Sequence, residues 1–264
     1  MSLLEKIISH KRQELKECRE NKPVKVLEKS QFFSRSSLSL VQAILNPDKT
    51  GIIAEFKRKS PSRGIINDRV TLEEVTTGYF RSGASALSVL TDYEFFGGTT
   101  DDLTRARELN PLPILRKDFI IDEYQIVEAK SIGADAILLI AAALDTDQTK
   151  QLARFARSLD LEVLLEVHHA DELRHLNEFI SVTGVNNRDL NTFMVDTELS
   201  VRLAGEIPDG MLKISESGIN STLTIKKLKG CGYQGFLIGE HFMNSPEPAA
   251  AFSDFVKTYL FGDD

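Results

Sequence analysis

The chain has 264 residues, 42% of them hydrophobic, and a formal net charge of −7. That is ample for a buried core, and the negative balance argues against general binding to nucleic acid or to an anionic membrane surface. Any anionic ligand is then expected to be held by local cations and backbone N–H groups.

Two cysteines, Cys18 and Cys231, are too few for a disulfide framework and lie in no Cys-x-x-Cys pattern, so both are expected to be reduced and inert. Glu5 and Lys6 follow Leu3 and Leu4 directly, which leaves no secretory apolar core. The longest apolar run, Ala136 to Leu144, is too short to span a bilayer, and a cytoplasmic location is expected.

In chain order, Leu3, Leu4, Ile7, Ile8 and Leu15 among charged residues predict an amphipathic helix. A short helix is predicted over Leu38 to Leu45, stopped by Asn46 and Pro47. From Gly51 onward short apolar strands alternate with helical segments. The strands are predicted at Gly51–Lys57, Ala86–Thr91, Pro113–Lys117, Ala136–Ile140, Leu161–Glu166, Ser181–Asn186, Met211–Glu216 and Gly235–Gly239. The clearest helices are Glu123–Ile132, Asp147–Leu159 and Glu247–Tyr259.

Eight strand-then-helix units predict an α/β fold of the (β/α)8 TIM-barrel type. The chain is read as one domain over residues 1–264, with 1–50 as an N-terminal helical extension and 51–264 as the eight units. A doubly wound open sheet is the alternative. Gly230, Gly232 and Gly235 have G-x-G-x-x-G spacing, but they follow a helix and precede a strand, the reverse of a dinucleotide turn.

In a barrel the chemistry gathers at the C-terminal ends of the strands. The first strand puts Ile53, Glu55 and Lys57 on one face and Ile52, Ala54 and Phe56 on the other. A Glu and a Lys two positions apart are costly to bury unless paired, so the strand either lies at an edge in water or ends in a polar site. Ser60 follows in its loop. The other ends supply Lys117, Glu166, Asn186 and Arg188, then Glu216, Ser217 and Gly218, and finally Gly239.

Arg58, Lys59 and Arg63 are expected as rim charges, and Asp118 as a loop cap. The sequences SESGI and LIGE each present a Gly before a helical segment, where backbone N–H groups and helix dipoles favour a phosphate. Beside them, the Glu240 side chain is expected to turn away while its backbone N–H serves. Phe96 and Phe119 in mouth loops suggest a flat aromatic ligand, while Leu138 on the fourth strand reads equally as apolar core. No metal site is expected, since His168, His169 and His175 lack ligand spacing and read as a surface helix start. There is no G-x-S-x-G elbow of a serine hydrolase.

The runs IIAEFKRKSPSRG, ALSVLTDYEFFGG, PILRKDFIIDEYQI, LLEVHH, GVNNRDL, ISESGI and GFLIGEHFM, in this order from Ile52 to Met243, resemble the indole-3-glycerol phosphate synthase family. The resemblance implies a carbon–carbon lyase of tryptophan biosynthesis. Its substrate is 1-(2-carboxyphenylamino)-1-deoxyribulose 5-phosphate, which loses carbon dioxide and water to become indole-3-glycerol phosphate, with no cofactor.

Carried onto this sequence, the resemblance implies that Lys117 polarises the sugar carbonyl as general acid and Glu166 assists closure. Lys57 and Glu55 then serve dehydration, although the division of roles between the two lysines and between the two glutamates stays open. It further implies that Asn186, Arg188 and Glu216 orient the substrate. Ser60, Ser217, Gly218, Gly239 and Glu240 match phosphate and neighbouring positions, and Phe96, Phe119 and Leu138 match the anthranilate pocket. Glu240 departs from members that carry a small hydroxyl residue there.

The expected partners are the phosphosugar substrate, no nucleic acid and no membrane, with a monomer that makes transient contacts with other tryptophan-pathway enzymes and carries no fused second domain. The alternatives are another phosphosugar barrel, such as a phosphoribosyl isomerase, and a non-catalytic phosphosugar-binding barrel.

Overall fold

Eight strands run parallel around a ring: β1 (Ile52–Phe56), β2 (Ala86–Leu90), β3 (Ile114–Lys117), β4 (Ala136–Ile140), β5 (Glu162–Val167), β6 (Val182–Asn186), β7 (Lys213–Glu216) and β8 (Gly235–Ile238). The structure, a computed structural model, describes residues 2–262. The sheet closes in the order β1-β8-β7-β6-β5-β4-β3-β2, with β1 paired to both β8 and β2. This is the (β/α)8 barrel expected from the strand count, and each predicted strand lies within two residues of an observed one.

Alternation along the strands divides the core into two layers. Ile52, Ala54 and Phe56 of β1 face outward and pack with the helix residues Leu72, Val75, Tyr79 and Phe252. Ile53 faces inward with Ala86, Leu115, Ala136, Leu164, Val182, Ile214 and Leu237 from the other strands. Glu55 and Lys57 continue that inward face, so the charged pair points into the barrel mouth rather than into water at a sheet edge.

The N-terminal extension touches both ends of this barrel. Its first helix, Leu3–Asn21, starts from a Ser2–Glu5 capping box, and Leu3, Leu4 and Ile7 on one face line the cavity at the mouth. The short helix Leu40–Leu45, capped by Ser39, packs Leu40 and Ile44 into the inner layer at the other end, where Ile44 lies against Gly51 and Gly235.

Two buried ion clusters fix these positions. Lys11 is 2% exposed and its ammonium lies 3.0 Å from Asp92, 3.1 Å from Asp118 and 2.8 Å from Glu14. Asp118 also meets Arg116 at 3.0 Å, and these cations hold its carboxyl well below the usual carboxylate range. At the opposite end the Asp135 carboxylate accepts from Arg35 at 2.7 Å, Arg107 at 2.6 Å and the backbone N–H groups of Leu38 and Ile114. Asp118 is therefore a buried ionic hub, more than the loop cap expected of it, because the extension brings a cation that local sequence does not reveal.

Candidate active site

The mouth of the barrel holds a chain of charged side chains contributed by different strands. Lys117, the last residue of β3, places its ammonium 2.6 Å from Glu166 Oε2 on β5 and 3.0 Å from Glu216 Oε2 on β7. Across the ring, Lys57 donates to Glu55 Oε1 at 2.8 Å, and Ser88 of β2 donates to Glu55 Oε2 at 3.2 Å. Glycines make room for these carboxylates. A Cβ at Gly184 would meet Glu216 Oε1 at 2.3 Å, and one at Gly239 would meet Glu55 Oε1 at 2.6 Å.

One ammonium between two buried carboxyls separates their proton affinities. The closer contact with Lys117 lowers Glu166 to about 2, against the cost of burial. Glu216 goes the other way, to about 7, because burial and the Glu166 and Glu55 charges outweigh what Lys117 gives it. Its Oε1 is buried with no hydrogen-bond partner. Both carboxylates keep Lys117 charged, with its pKa raised above the ordinary lysine value. The site thus presents a firmly protonated cation, a firmly ionised carboxylate and a carboxyl that exchanges its proton near neutrality.

Asn186 at the end of β6 accepts from the backbone N–H of Arg188 at 3.1 Å, and its amide helps keep Glu166 ionised. His168, two residues beyond Glu166 on the same face, has Nε2 3.4 Å from Glu166 Oε1. His168 and His175 are each 3% exposed, so the expected surface helix start is corrected: His168 is enclosed beside Glu166 and Glu172, and His175 Nδ1 lies 2.8 Å from the Thr149 hydroxyl. Only His169 lies on the surface, and the segment Ala170–His175 is a 3-10 turn.

The mouth cavity, of about 140 Å³, is mainly apolar on one side. Phe96 and Phe119 stand with ring centroids 6.0 Å apart, and Leu138, Ile140 and Leu90 complete that wall with Leu3, Leu4 and Ile7. The other side carries Glu55, Lys57, Ser60, Lys117, Glu166, Asn186, Arg188, Glu216, Ser217 and Glu240. All fifteen anticipated site residues therefore line this cavity or the depression beside it, and Phe193, Leu190 and the extension residues add to them.

The depression beside the cavity, of about 720 Å³, is formed by Ser217, Gly218, Gly239 and Glu240 with Arg63 and Arg188. Ser217 and Gly218 both take positive φ, +65° and +74°, which turns successive N–H groups into a concave nest suited to an anion. Asn187, directed away from the mouth, fixes that turn by donating to the carbonyls of Glu216 and Ser217, each at 3.0 Å. Helix dipoles contribute less than expected. The helix after β7 starts only at Thr222, and the one after β8, Glu240–Met243, has four residues.

Two expectations about charge need correction. Arg58 faces Asp102, bonded at 2.7 and 2.8 Å, and is not free to attract an anion, whereas Lys59 donates to the neutral Glu94 carbonyl and keeps its charge. The Glu240 side chain does not turn away. Its carboxylate lies 2.9 Å from Arg63 Nε and 2.8 Å from Arg188 Nη2, because the Lys59–Ser60 and Gly64–Ile65 hairpin brings Arg63 over the depression. Among the described residues no group of three or more His, Cys, Asp or Glu side chains is placed to hold a metal ion.

Known proteins resemble the chain over nearly its whole length. The family model for indole-3-glycerol phosphate synthase matches residues 4–255. The chain is 47% identical over 255 residues to the indole-3-glycerol phosphate synthase of Bacteroides thetaiotaomicron, covering 97% of this chain and 98% of that one. It is 41% identical to that of Polaromonas naphthalenivorans, covering 99% of each. Among solved structures, a tryptophan synthase α-subunit from Pyrococcus furiosus superposes with a TM-score of 0.61 at 13% identity, over 80% of this chain and 98% of that one. At that identity the likeness shows the barrel fold alone.

Proposed function

The chain belongs to the indole-3-glycerol phosphate synthase family, and on that premise we propose how its side chains divide the reaction of this decarboxylating lyase of tryptophan biosynthesis. The observation that carries the reading is the position of Lys117 between Glu166 and Glu216, opposite the Glu55–Lys57 pair and beside an aromatic wall. Ring closure needs a proton donor at the sugar carbonyl and a negative charge near the ring nitrogen, where positive charge builds. Lys117 supplies the first and Glu166 the second.

Loss of carbon dioxide restores the aromatic ring. Dehydration then removes the hydroxyl as water and a proton from the neighbouring carbon, for which Lys57 is the acid and Glu55 the base. Phe96, Phe119 and Leu138 hold the anthranilate ring, with Leu3, Leu4 and Ile7 of the extension closing over it. Ser60 and the backbone N–H groups of Ser217, Gly218, Gly239 and Glu240 hold the phosphate, while Asn186, Arg188 and Glu216 orient the hydroxyls and the carboxylate.

The buried ion pairs of Lys11 and Arg35 support treating extension and barrel as one working unit. No helix among the described residues is long and apolar enough to cross a membrane. A monomer in the cytoplasm, with passing contacts to neighbouring pathway enzymes, belongs to the same proposal.

The test is Glu55→Gln. We expect rapid-quench mass spectrometry to find a species that has lost carbon dioxide but kept the hydroxyl, with indole formation slowed by roughly 10²-fold or more. If unreacted substrate accumulates instead, Glu55 acts in closure and the assignment of the two pairs is reversed.

A further inference from the structure

Every cation that faces the phosphate depression is already engaged by a carboxylate of the chain itself. Lys57 is held by Glu55 at 2.8 Å, while Arg63 and Arg188 share the two oxygens of Glu240 at 2.9 and 2.8 Å. The two arginines differ in freedom. Arg188 is 24% exposed and its Nη1 also donates to the Phe193 carbonyl at 3.4 Å. Arg63 is 57% exposed, sits on the short hairpin after β1, and contacts Glu240 through a single nitrogen.

A phosphate seated on the Ser217–Gly218 nest therefore arrives beside a carboxylate, and the strongest donors within reach are the ones that carboxylate holds. Like charges at close range oppose binding unless one is released or neutralised. We propose that Glu240 is an internal competitor for the substrate's phosphate, and that it yields Arg63 to the phosphate when substrate binds. This rests on reading the depression as the phosphate site. Two consequences follow. Glu240 sets phosphate affinity below what the nest and two arginines would give alone, and the hairpin carrying Arg63 changes partner with each turnover, which ties movement of the first loop to occupancy.

The opposite possibility is a clasp, in which Glu240 holds the arginines in place for the ligand. The two make opposite predictions for one substitution. Calorimetric titration with inorganic phosphate, at fixed pH and salt, is expected to show Glu240→Gln binding at least about tenfold tighter than the wild-type chain, or about 1.4 kcal/mol. The gain is expected to disappear when Arg63→Met is added, the arginine released to the phosphate. Glu240→Ser serves the same comparison if the glutamine variant does not fold. Unchanged or weaker phosphate binding in the variant overturns the proposal. Phosphate binding by neither protein would remove the phosphate reading of the depression and the inference with it.

Discussion

Lys117→Met is expected to lower kcat/KM for ring closure by roughly 10³- to 10⁴-fold, the upper range for loss of a general acid. Methionine keeps most of the side chain's volume but leaves the sugar carbonyl without a proton donor. The substitution also strands Glu166 and Glu216, whose oxygens lie 2.6 and 3.0 Å from the lost ammonium. Two facing carboxylates without a cation cannot both stay ionised, so one takes up a proton and the fold survives. Phosphate binding, which depends on the opposite side of the mouth, is expected to be retained. Steady-state kinetics with a parallel phosphate titration checks both halves. Near-normal turnover would show that another group supplies the proton.

Glu166→Gln is expected to lower kcat by roughly 10²- to 10³-fold with a smaller change in KM, as for a group whose charge matters most in the transition state. Glutamine preserves shape and a hydrogen-bonding oxygen, so the loss isolates the negative charge. With Glu166 neutral, Lys117 is left to pair with Glu216; burial still raises Glu216, but the Glu166 charge that adds to that rise is removed. Glu216 should then ionise at lower pH than in the wild-type chain. A kcat–pH profile of the variant reads this directly as a downward move of its acidic limb. A profile that keeps its shape, with kcat near normal, would take Glu166 out of the reaction.

Most of this architecture was legible because its causes are local. Strand alternation alone placed Ile53, Glu55 and Lys57 on one face, and the barrel rule then put that face in the mouth with Lys117, Glu166 and Glu216. What escaped the sequence depends on contacts between distant segments. Leu3, Leu4 and Ile7 advertise an apolar helix face but not what it covers, and Lys11 reads as a solvated lysine until its helix meets Asp92 and Asp118.

The direction of the Glu240 side chain escapes the sequence for the same reason. Its partners, Arg63 and Arg188, lie 177 and 52 positions away along the chain and meet it only when two loops fold over the mouth. Alternation directs Asn187 outward, so nothing in the sequence marks it for the site. Its role is to hold the carbonyls of the turn at Ser217, a backbone task with no sequence signature. His168 could have been found, since it repeats at β5 the two-residue spacing that links Glu55 and Lys57 at β1.

The central claim is that one barrel mouth carries closure, decarboxylation and dehydration with side chains alone. The chain has no tryptophan, so indole emission appears on a dark background. Purified protein in excess chelator, without nucleotide, is mixed with 1-(2-carboxyphenylamino)-1-deoxyribulose 5-phosphate and followed by fluorescence. The account predicts a rise in indole emission matched by release of one equivalent of carbon dioxide. No emission at high protein concentration, or emission that requires an added metal ion, would contradict it.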